Sequence, residues 1–522
     1  MAGLPIDPIT AAVIQAGLSA AADEMFAVLK RTAMSPIIYE VLDVGTGITD
    51  ARGELVSSGA GIPTFVGVLD KAVKRIVELT GLENIREGDV FITNDPYYGG
   101  VTHLNDVVIA HPVFADGELF AWAASIAHWN DIGGMTPGSM AVNVTEIYQE
   151  GLRLPAVRLF EKGEPIRSVF EIISANSRLP DFVRGDLWAQ VAASRKAEAR
   201  IRQLVQTYGL ETCRKAVADL FDEGERRGLA GLSQLPTGTW QIEERQDDGA
   251  IWRAAITITP EKFIVDLRGN PEQRAAPYNT SRDGAVISAQ MIFKALTDPT
   301  LFANAGSFRP LEVITEPGTI FHAEGSAPHG YYFETRIRLY DMLWRCMANA
   351  MPDRLPAGHF ASICGTVIAG NHPDTGRRYT MVEPQMGGWG ATAGRDGLDA
   401  MYSCSHGETF NCPVEICEAR YGIDVGFKRL NEQDDETSLH RGGRGLTASY
   451  RPRGRAVLSA GYSRNQEPVW GLNGGANGGT NGLSVIRADG RREDFAFVSG
   501  LVIEPGDEIL IQTANGGGWG AR

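Results

Sequence analysis

Two histidines and a carboxylate stand close enough along this chain to share one site. The segment Asn94-Asp95-Pro96-Tyr97-Tyr98-Gly99-Gly100-Val101-Thr102-His103-Leu104-Asn105-Asp106 is followed, after a β-rich stretch, by His128-Trp129-Asn130-Asp131-Ile132-Gly133-Gly134. Two imidazoles and one carboxylate with coordination positions to spare suit Fe, Mn or Zn. A divalent ion held this way lowers the pKa of water and polarises a carbonyl or phosphoryl oxygen. The same residues admit a plainer reading: the chain has nine histidines, some must fall beside carboxylates by chance, and a histidine next to a strand is often a hydrogen-bonded loop residue.

The elements that would gather these groups can be read from the pattern around them. Residues 106–114 and 119–127 read as two strands, and Ala115-Asp116-Gly117-Glu118 supplies the Asp-Gly turn of a hairpin. With the centre at Asp116-Gly117, Asp106 pairs opposite Ala127; a three-residue bulged turn would place it opposite His128. Either register leaves Asp106 and His128 at one end of the hairpin. His103 lies three residues before the first strand, in a loop loosened by Gly99 and Gly100, and can curl back to that end.

Around the hairpin the pattern predicts a helix over 8–30, opened by Asp7-Pro8. Sheet is expected from Asp89 onward, then a helix over 187–208, where Ile201, Leu204, Val205 and Tyr208 share a face and Gly209 follows. A period-two stretch from Trp252 to Leu267 and a helix over 334–350 come next. Residues 441–522 hold 18 glycines and read as a β tail, in which Gly517-Gly518-Trp519-Gly520-Ala521 repeats Gly387-Gly388-Trp389-Gly390-Ala391. The expected fold class is α+β and multi-layered. A mixed helix and sheet region carrying the metal site (1–232) leads into a central α+β region (233–440) and a glycine-rich β region (441–522).

Other chemistry is thinly represented. Cys404, His406, Cys412 and Cys417 gather without a CxxC pair and read as buried thiols. Gly388-x-Gly390-x-x-Ala393 matches a dinucleotide fingerprint but lacks the flanking strand and helix, and neither a GxxxxGK[ST] phosphate loop nor a GxSxG elbow occurs. His322, His329, His359 and His372, in Gly/Pro-rich segments, read as turn and surface residues. Across 522 residues, 64 acidic side chains against 49 basic ones give a net charge of −15, which disfavours nucleic acid and anionic lipid as partners. The first basic residue is Lys30, the longest nearly apolar run is 119–127, and the six cysteines form no CxxC pair; the expected location is cytoplasmic.

The ordered motifs resemble the hydantoinase B/oxoprolinase family from end to end. They include Asp7-Pro8-Ile9-Thr10, Glu24-Met25, Leu29-Lys30-Arg31-Thr32-Ala33, the Asn94 to Asp106 segment and His128 with Asp131-Ile132-Gly133-Gly134. Asn176-Ser177-Arg178, Asn304-Ala305-Gly306, Gly387-Gly388-Trp389-Gly390, Arg441-Gly442-Gly443-Arg444-Gly445 and Gly516-Gly517-Gly518-Trp519-Gly520 continue the series. The resemblance implies a metal ion on His103, Asp106 and His128, with Asp43 as a fourth ligand or an orienter of the other three. It further implies a hetero-oligomer in which ATP is bound by a partner A subunit rather than by this chain. The partner phosphorylates the amide or enol oxygen of the substrate, and this chain acts on the activated species; beyond the resemblance, Asp131 or Glu150 is expected to handle protons.

The expected function is therefore the metal-dependent B subunit of an ATP-dependent cyclic amide hydrolase acting on a hydantoin, oxoproline-like ring or lactam. The alternatives are one component of an ATP-dependent ketone carboxylase and a scaffold that only docks the A subunit. One departure bears on substrate: the family often carries a histidine after Ile-Pro where this chain reads Ile62-Pro63-Thr64.

Overall fold

The computed structural model describes residues 6–404, 406–407, 409–433 and 435–522. The N-terminal part is built on one seven-stranded sheet. Its strands are β1 (Val44–Asp50), β2 (Leu55–Gly61), β3 (Val90–Thr93), β4 (Asp106–Ala115), β5 (Glu118–His128), β6 (Val157–Glu161) and β7 (Glu164–Pro165), in the order β2-β1-β5-β4-β3-β6-β7. Sheet thus begins well before Asp89. The two extra strands, Val-Gly-Thr-Gly-Ile-Thr-Asp and Leu-Val-Ser-Ser-Gly-Ala-Gly, carry too many glycines to show the alternation by which strands are recognised.

Both faces of this sheet are covered. Helix α1 (Pro8–Thr32), capped by Asp7, whose carboxylate accepts from Thr10 N at 3.0 Å, buries Ile14, Leu18, Ala21, Met25 and Leu29 in the same core as β4 residues Val107 and Ile109. Among the described residues α1 is the one helix long and apolar enough in composition to cross a membrane; in this fold that apolar face is core. After a short helix α2 (Pro36–Tyr39), α3 (Pro63–Thr80) packs Phe65, Leu69 and Val73 with Val108, Ala110, Trp122 and Ala124, the residues of opposite parity on β4 and β5. The central hairpin is therefore apolar in continuous runs, as strands covered on both faces are.

A short helix α4 (Arg167–Ala175) precedes α5 (Pro180–Tyr208), which begins earlier than its periodicity suggests and ends at Gly209 with φ 80°. The same glycine starts α6 (Leu210–Leu232). α5 is pinned to the sheet by Gln190, whose amide donates to Val107 O at 2.9 Å and accepts from Trp129 Nε1 at 2.9 Å.

The chain then forms a four-stranded sheet from β8 (Gly238–Arg245), β9 (Ile251–Ile258), β10 (Phe263–Asp266) and β11 (Leu311–Ile314), packed with α7 (Arg282–Thr297) and α8 (Tyr332–Ala350) around Phe263, Phe293 and Ile337. Beyond α8, Thr366–Asn371 and Arg378–Glu383 pair in one sheet with Ala456–Gly461 and Phe497–Ile503. Strands on both sides of residue 440 thus share a sheet, and no break in the sheet falls there. The two Gly-Gly-Trp-Gly-Ala copies lie side by side: Ala391 N donates to Gly517 O and Gly388 N to Ala514 O, each at 2.9 Å. A Cβ on Gly388 would stand 2.1 Å from Gly443 O, so this glycine serves close backbone approach.

Candidate metal centre

The β4–β5 hairpin turns at Asp116 (φ 52°) and Gly117 (φ 79°), the two positive angles a two-residue primed turn requires. Ala115 pairs with Glu118, and a register shift between Val113 and Phe114 leaves Phe120 as an extra residue. That bulge moves every later pair by one position, so Asp106 faces His128. The register that joins the two is set inside a strand rather than by a longer turn.

The remaining groups are delivered by neighbours of this hairpin end. His103 is brought back by a tight turn in which Asp106 N donates to His103 O at 3.1 Å, and Asn94 ties the loop down by donating to Leu104 O at 2.7 Å. Asp43 lies just before β1, where its carbonyl accepts from His128 N at 3.1 Å. The first turn of α8 closes the site with Tyr332, whose hydroxyl donates to Asp106 Oδ2 at 3.4 Å.

Ligand atoms of His103, Asp106 and His128 all lie within 4.8 Å of one another, and all three residues are buried. His103 Nε2 is 3.2 Å from Asp106 Oδ2, and the two imidazole rings are 5.2 Å apart. Among the described residues this is the one group of three or more possible ligands with that closeness. Asp43 borders the same cavity without belonging to the group of three.

Burial opposes the charge on Asp106, but His103, His128 and a hydrogen bond from Thr102 outweigh it and hold the carboxyl below its ordinary range. Asp43 goes the other way: burial and the charge of Asp106 raise it well above the ordinary value. Burial pushes His128 down to about 3, so its ring is neutral at pH 7. Asp106 Oδ1, His128 Nδ1 and Asp43 Oδ1 are buried without a hydrogen-bond partner. Buried polar atoms are normally satisfied. Neutral imidazole, carboxylate oxygen and unmet lone pairs are what a divalent cation requires, and the donor set fits one.

The cavity beside this set is walled by Ile62, Phe65, Met140 and Phe333, with Arg336 and His406 as its other charged or titratable groups. His406 is buried, and its own burial and then Arg336 push it down to about 3. Its sequence neighbours group it with the thiols, and nothing local in the sequence points to this placement. Cys404, Cys412 and Cys417 are indeed buried. His329, His359 and His372 are buried as well, not surface residues. Thr64 also borders the cavity.

Asp131 and Glu150 stand elsewhere. Asp131 accepts from Gly133 N, Gly138 N, Arg178 N and Arg178 Nη1 at 2.9 to 3.1 Å. Both of its oxygens are committed to holding a loop, and it does not border the cavity. Glu150 is buried behind the site, accepting from His329 N at 3.0 Å and Gly330 N at 2.5 Å, and burial pushes it up to about 7.

A family model described as hydantoinase B/oxoprolinase matches residues 7–522. A putative D-/L-hydantoinase B subunit from Pseudomonas sp. (strain NS671) is 30% identical over 541 residues, covering 99% of this chain and 90% of the relative. The crystal structure of ATP-dependent caprolactamase from Pseudomonas jessenii matches with a TM-score of 0.90 at 26% identity, over 99% of this chain and 91% of that one. Nucleotide-free acetone carboxylase matches with a TM-score of 0.88 at 17% identity, over 98% and 76%, a likeness that shows the fold alone. With the family model covering the chain from Asp7 to its last residue, this protein belongs to the hydantoinase B/oxoprolinase family.

Proposed function

We propose that this chain is the metal-dependent B subunit of an ATP-dependent cyclic amide hydrolase, opening a hydantoin, oxoproline-like ring or lactam after a partner A subunit has phosphorylated the amide oxygen. The observation that carries this reading is the convergence of His103, Asp106 and His128 on one buried cavity. The names of relatives support it: one is the B subunit of a hydantoinase, another the beta subunit of a caprolactamase. ATP use belongs to the partner in this reading, which places the complex in the cytoplasm.

Amide resonance protects the C–N bond of an unstrained ring, and phosphorylation of the oxygen removes that protection. A divalent ion on His103, Asp106 and His128 would supply Lewis acidity, lowering the pKa of water and polarising the substrate oxygen. Asp106 stays ionised at neutral pH and contributes the one negative charge of the set, while neutral His128 contributes a lone pair. Asp43, whose carboxyl is raised well above its ordinary value by burial and then by the charge of Asp106, can give up or take a proton as the charge in the site changes. Arg336 places a guanidinium in the cavity wall, complementary to a phosphorylated substrate, and the neutral imidazole of His406 offers a donor and an acceptor to the ring. The apolar walls exclude water from the rest of the substrate.

The test is reconstitution with the A-type partner, ATP and a panel of hydantoins and lactams. Ring opening with phosphate release is expected, and His103→Ala or His128→Ala should lower it by at least about a hundredfold, the upper range for disturbing a ligand's support. Turnover that needs bicarbonate would replace hydrolysis with ketone carboxylation. Full activity in both variants would reduce the chain to a scaffold.

A further inference from the structure

His103 differs from its two companions in how it is held. Asp106 and His128 are strand residues locked in register, whereas His103 sits in a loop, and the atom on the far side of its ring from Asp106, Nδ1, lies 3.2 Å from Gly330 O. A carbonyl only accepts, so Nδ1 carries a proton there, and the ring so turned presents Nε2 to Asp106. The Gly330 carbonyl therefore helps to fix the direction of the His103 ring.

That carbonyl belongs to the turn that leads into α8. Its peptide neighbours are gripped by Glu150, with Oε1 accepting from Gly330 N at 2.5 Å and Oε2 from His329 N at 3.0 Å. The grip needs glycine: a Cβ on Gly330 would stand 2.9 Å from Glu150 Oε1. Tyr97 holds the far side of the turn, its hydroxyl donating to Ala327 O at 2.6 Å with His329 Nδ1 3.1 Å away. Glu150 is itself fixed by its own segment, where Ile147 N donates to Ser326 O at 2.8 Å and Leu152 N to Ile132 O at 3.0 Å.

We propose that Glu150 is a positioning residue for the metal centre: by holding the amides of His329 and Gly330 it fixes the carbonyl that sets the tautomer and direction of His103. The proposal rests on the metal reading of the site, and it gives Glu150 no contact with substrate. A carboxylate suits the task because two N–H groups face its two oxygens. Glutamine would satisfy one and present its NH2 to the other.

The experiment uses the full chain, cobalt(II) as the probe ion, and protein labelled with 15N in its histidines. In the parent, the His103 signals, assigned by their loss in His103→Gln, should report a proton on Nδ1. Glu150→Ala and Gly330→Ala, checked for folding by circular dichroism, should abolish that single tautomer and weaken cobalt binding about 10- to 100-fold. Glu150→Gln, the milder change, should fall between them and the parent, and it serves with Gly330→Ala if Glu150→Ala does not fold. An unchanged His103 tautomer in these variants would overturn the proposal whatever happens to cobalt affinity, because the loss would then be general destabilisation. Unchanged cobalt affinity with an altered tautomer would overturn it as well. A parent that binds no cobalt would instead sink the metal reading, while the tautomer of His103 would still judge the role of Glu150.

Discussion

Beside the first turn of α8, His103 Nε2 stands 3.2 Å from Asp106 Oδ2; further along that helix, His359 Nδ1 stands 3.2 Å from Asp341 Oδ1. Both pairs are buried, and both would look alike as a His near an Asp in any sequence. Their surroundings differ. Asp341 is ion-paired with Arg464 and accepts from Trp470 Nε1 at 3.0 Å; Glu244 joins Arg338 at 2.7 Å and Arg464 at 3.4 Å. His359 Nε2 accepts from Cys404 N at 3.3 Å. The protein itself supplies the cations there. At Asp106 the neighbours are two imidazoles and a second carboxyl, with an orphaned oxygen or nitrogen on Asp106, His128 and Asp43. Which chemistry a buried His/Asp pair performs is decided by whether the fold has already provided its counter-charge.

The largest test of this contrast removes the carboxylate from each side. Asp341→Ala takes from the buried Arg464 guanidinium its nearest carboxylate and should cost about 3–5 kcal/mol in urea denaturation, as breaking a buried ion pair does. Asp106→Asn leaves no cation unpaired and relieves Asp43 of a neighbouring charge, so the metal-free chain should keep its stability to within about 1 kcal/mol while metal binding is lost. Equal destabilisation by the two would mean that Asp106 is as structural as Asp341, and the contrast would collapse.

A smaller effect sharpens the comparison through pH. His128 is neutral down to about 3 in the fold but takes up a proton near pH 6.5 when unfolded. Between those values the unfolded chain binds the extra proton, so stability falls as pH falls, by up to about 1.4 kcal/mol per pH unit. Glu150 has the opposite sign: pushed up from 4.5 to about 7, it keeps its proton in the fold where the unfolded chain has lost it, and stability falls as pH rises across that window. In metal-free protein between pH 4.5 and 6.5, His128→Gln should make the slope of stability against pH less positive and Glu150→Gln should make it more positive. Shifts of the same sign in both variants would show that one of the two groups is not in the state its burial dictates.

The hairpin that builds the site was legible in the sequence because Asp116-Gly117 is a strong turn signal and both strands are apolar enough to be seen. The bulge at Phe120 was not, since a bulge is fixed by twist and packing across strands rather than by local residue type. Both registers considered for Asp106 leave it at the hairpin end, which is why the candidate ligands survive that ambiguity. Glu150 was singled out by its family motif, yet its partners, His329 and Gly330, lie about 180 residues on. His406 and Arg336 reach the cavity from equally distant elements. No window of sequence contains such pairs. The glycines of β1 and β2 hid two strands for the reverse reason: what makes them strands is contact with neighbours, as where a Cβ on Gly59 would stand 2.4 Å from Ala22 O of α1.

The smallest test compares the two neutral donors. Trp470 Nε1 reaches Asp341 at 3.0 Å, whereas Tyr332 reaches Asp106 at 3.4 Å and shares that oxygen with Thr102. Hydrogen bonds to charged groups contribute about 1.5–3 kcal/mol when well formed, and length erodes that quickly. Tyr332→Phe should therefore cost under about 1 kcal/mol in denaturation, because Thr102 and His103 still satisfy Asp106 Oδ2. Cobalt affinity should stay within about threefold, since removing a weak competitor for that oxygen and removing a weak support for it nearly cancel. A large loss of affinity in Tyr332→Phe would show that α8 orients Asp106 as well as covering it, and the site would then depend on the helix that also carries Arg338 and Asp341 of the paired cluster.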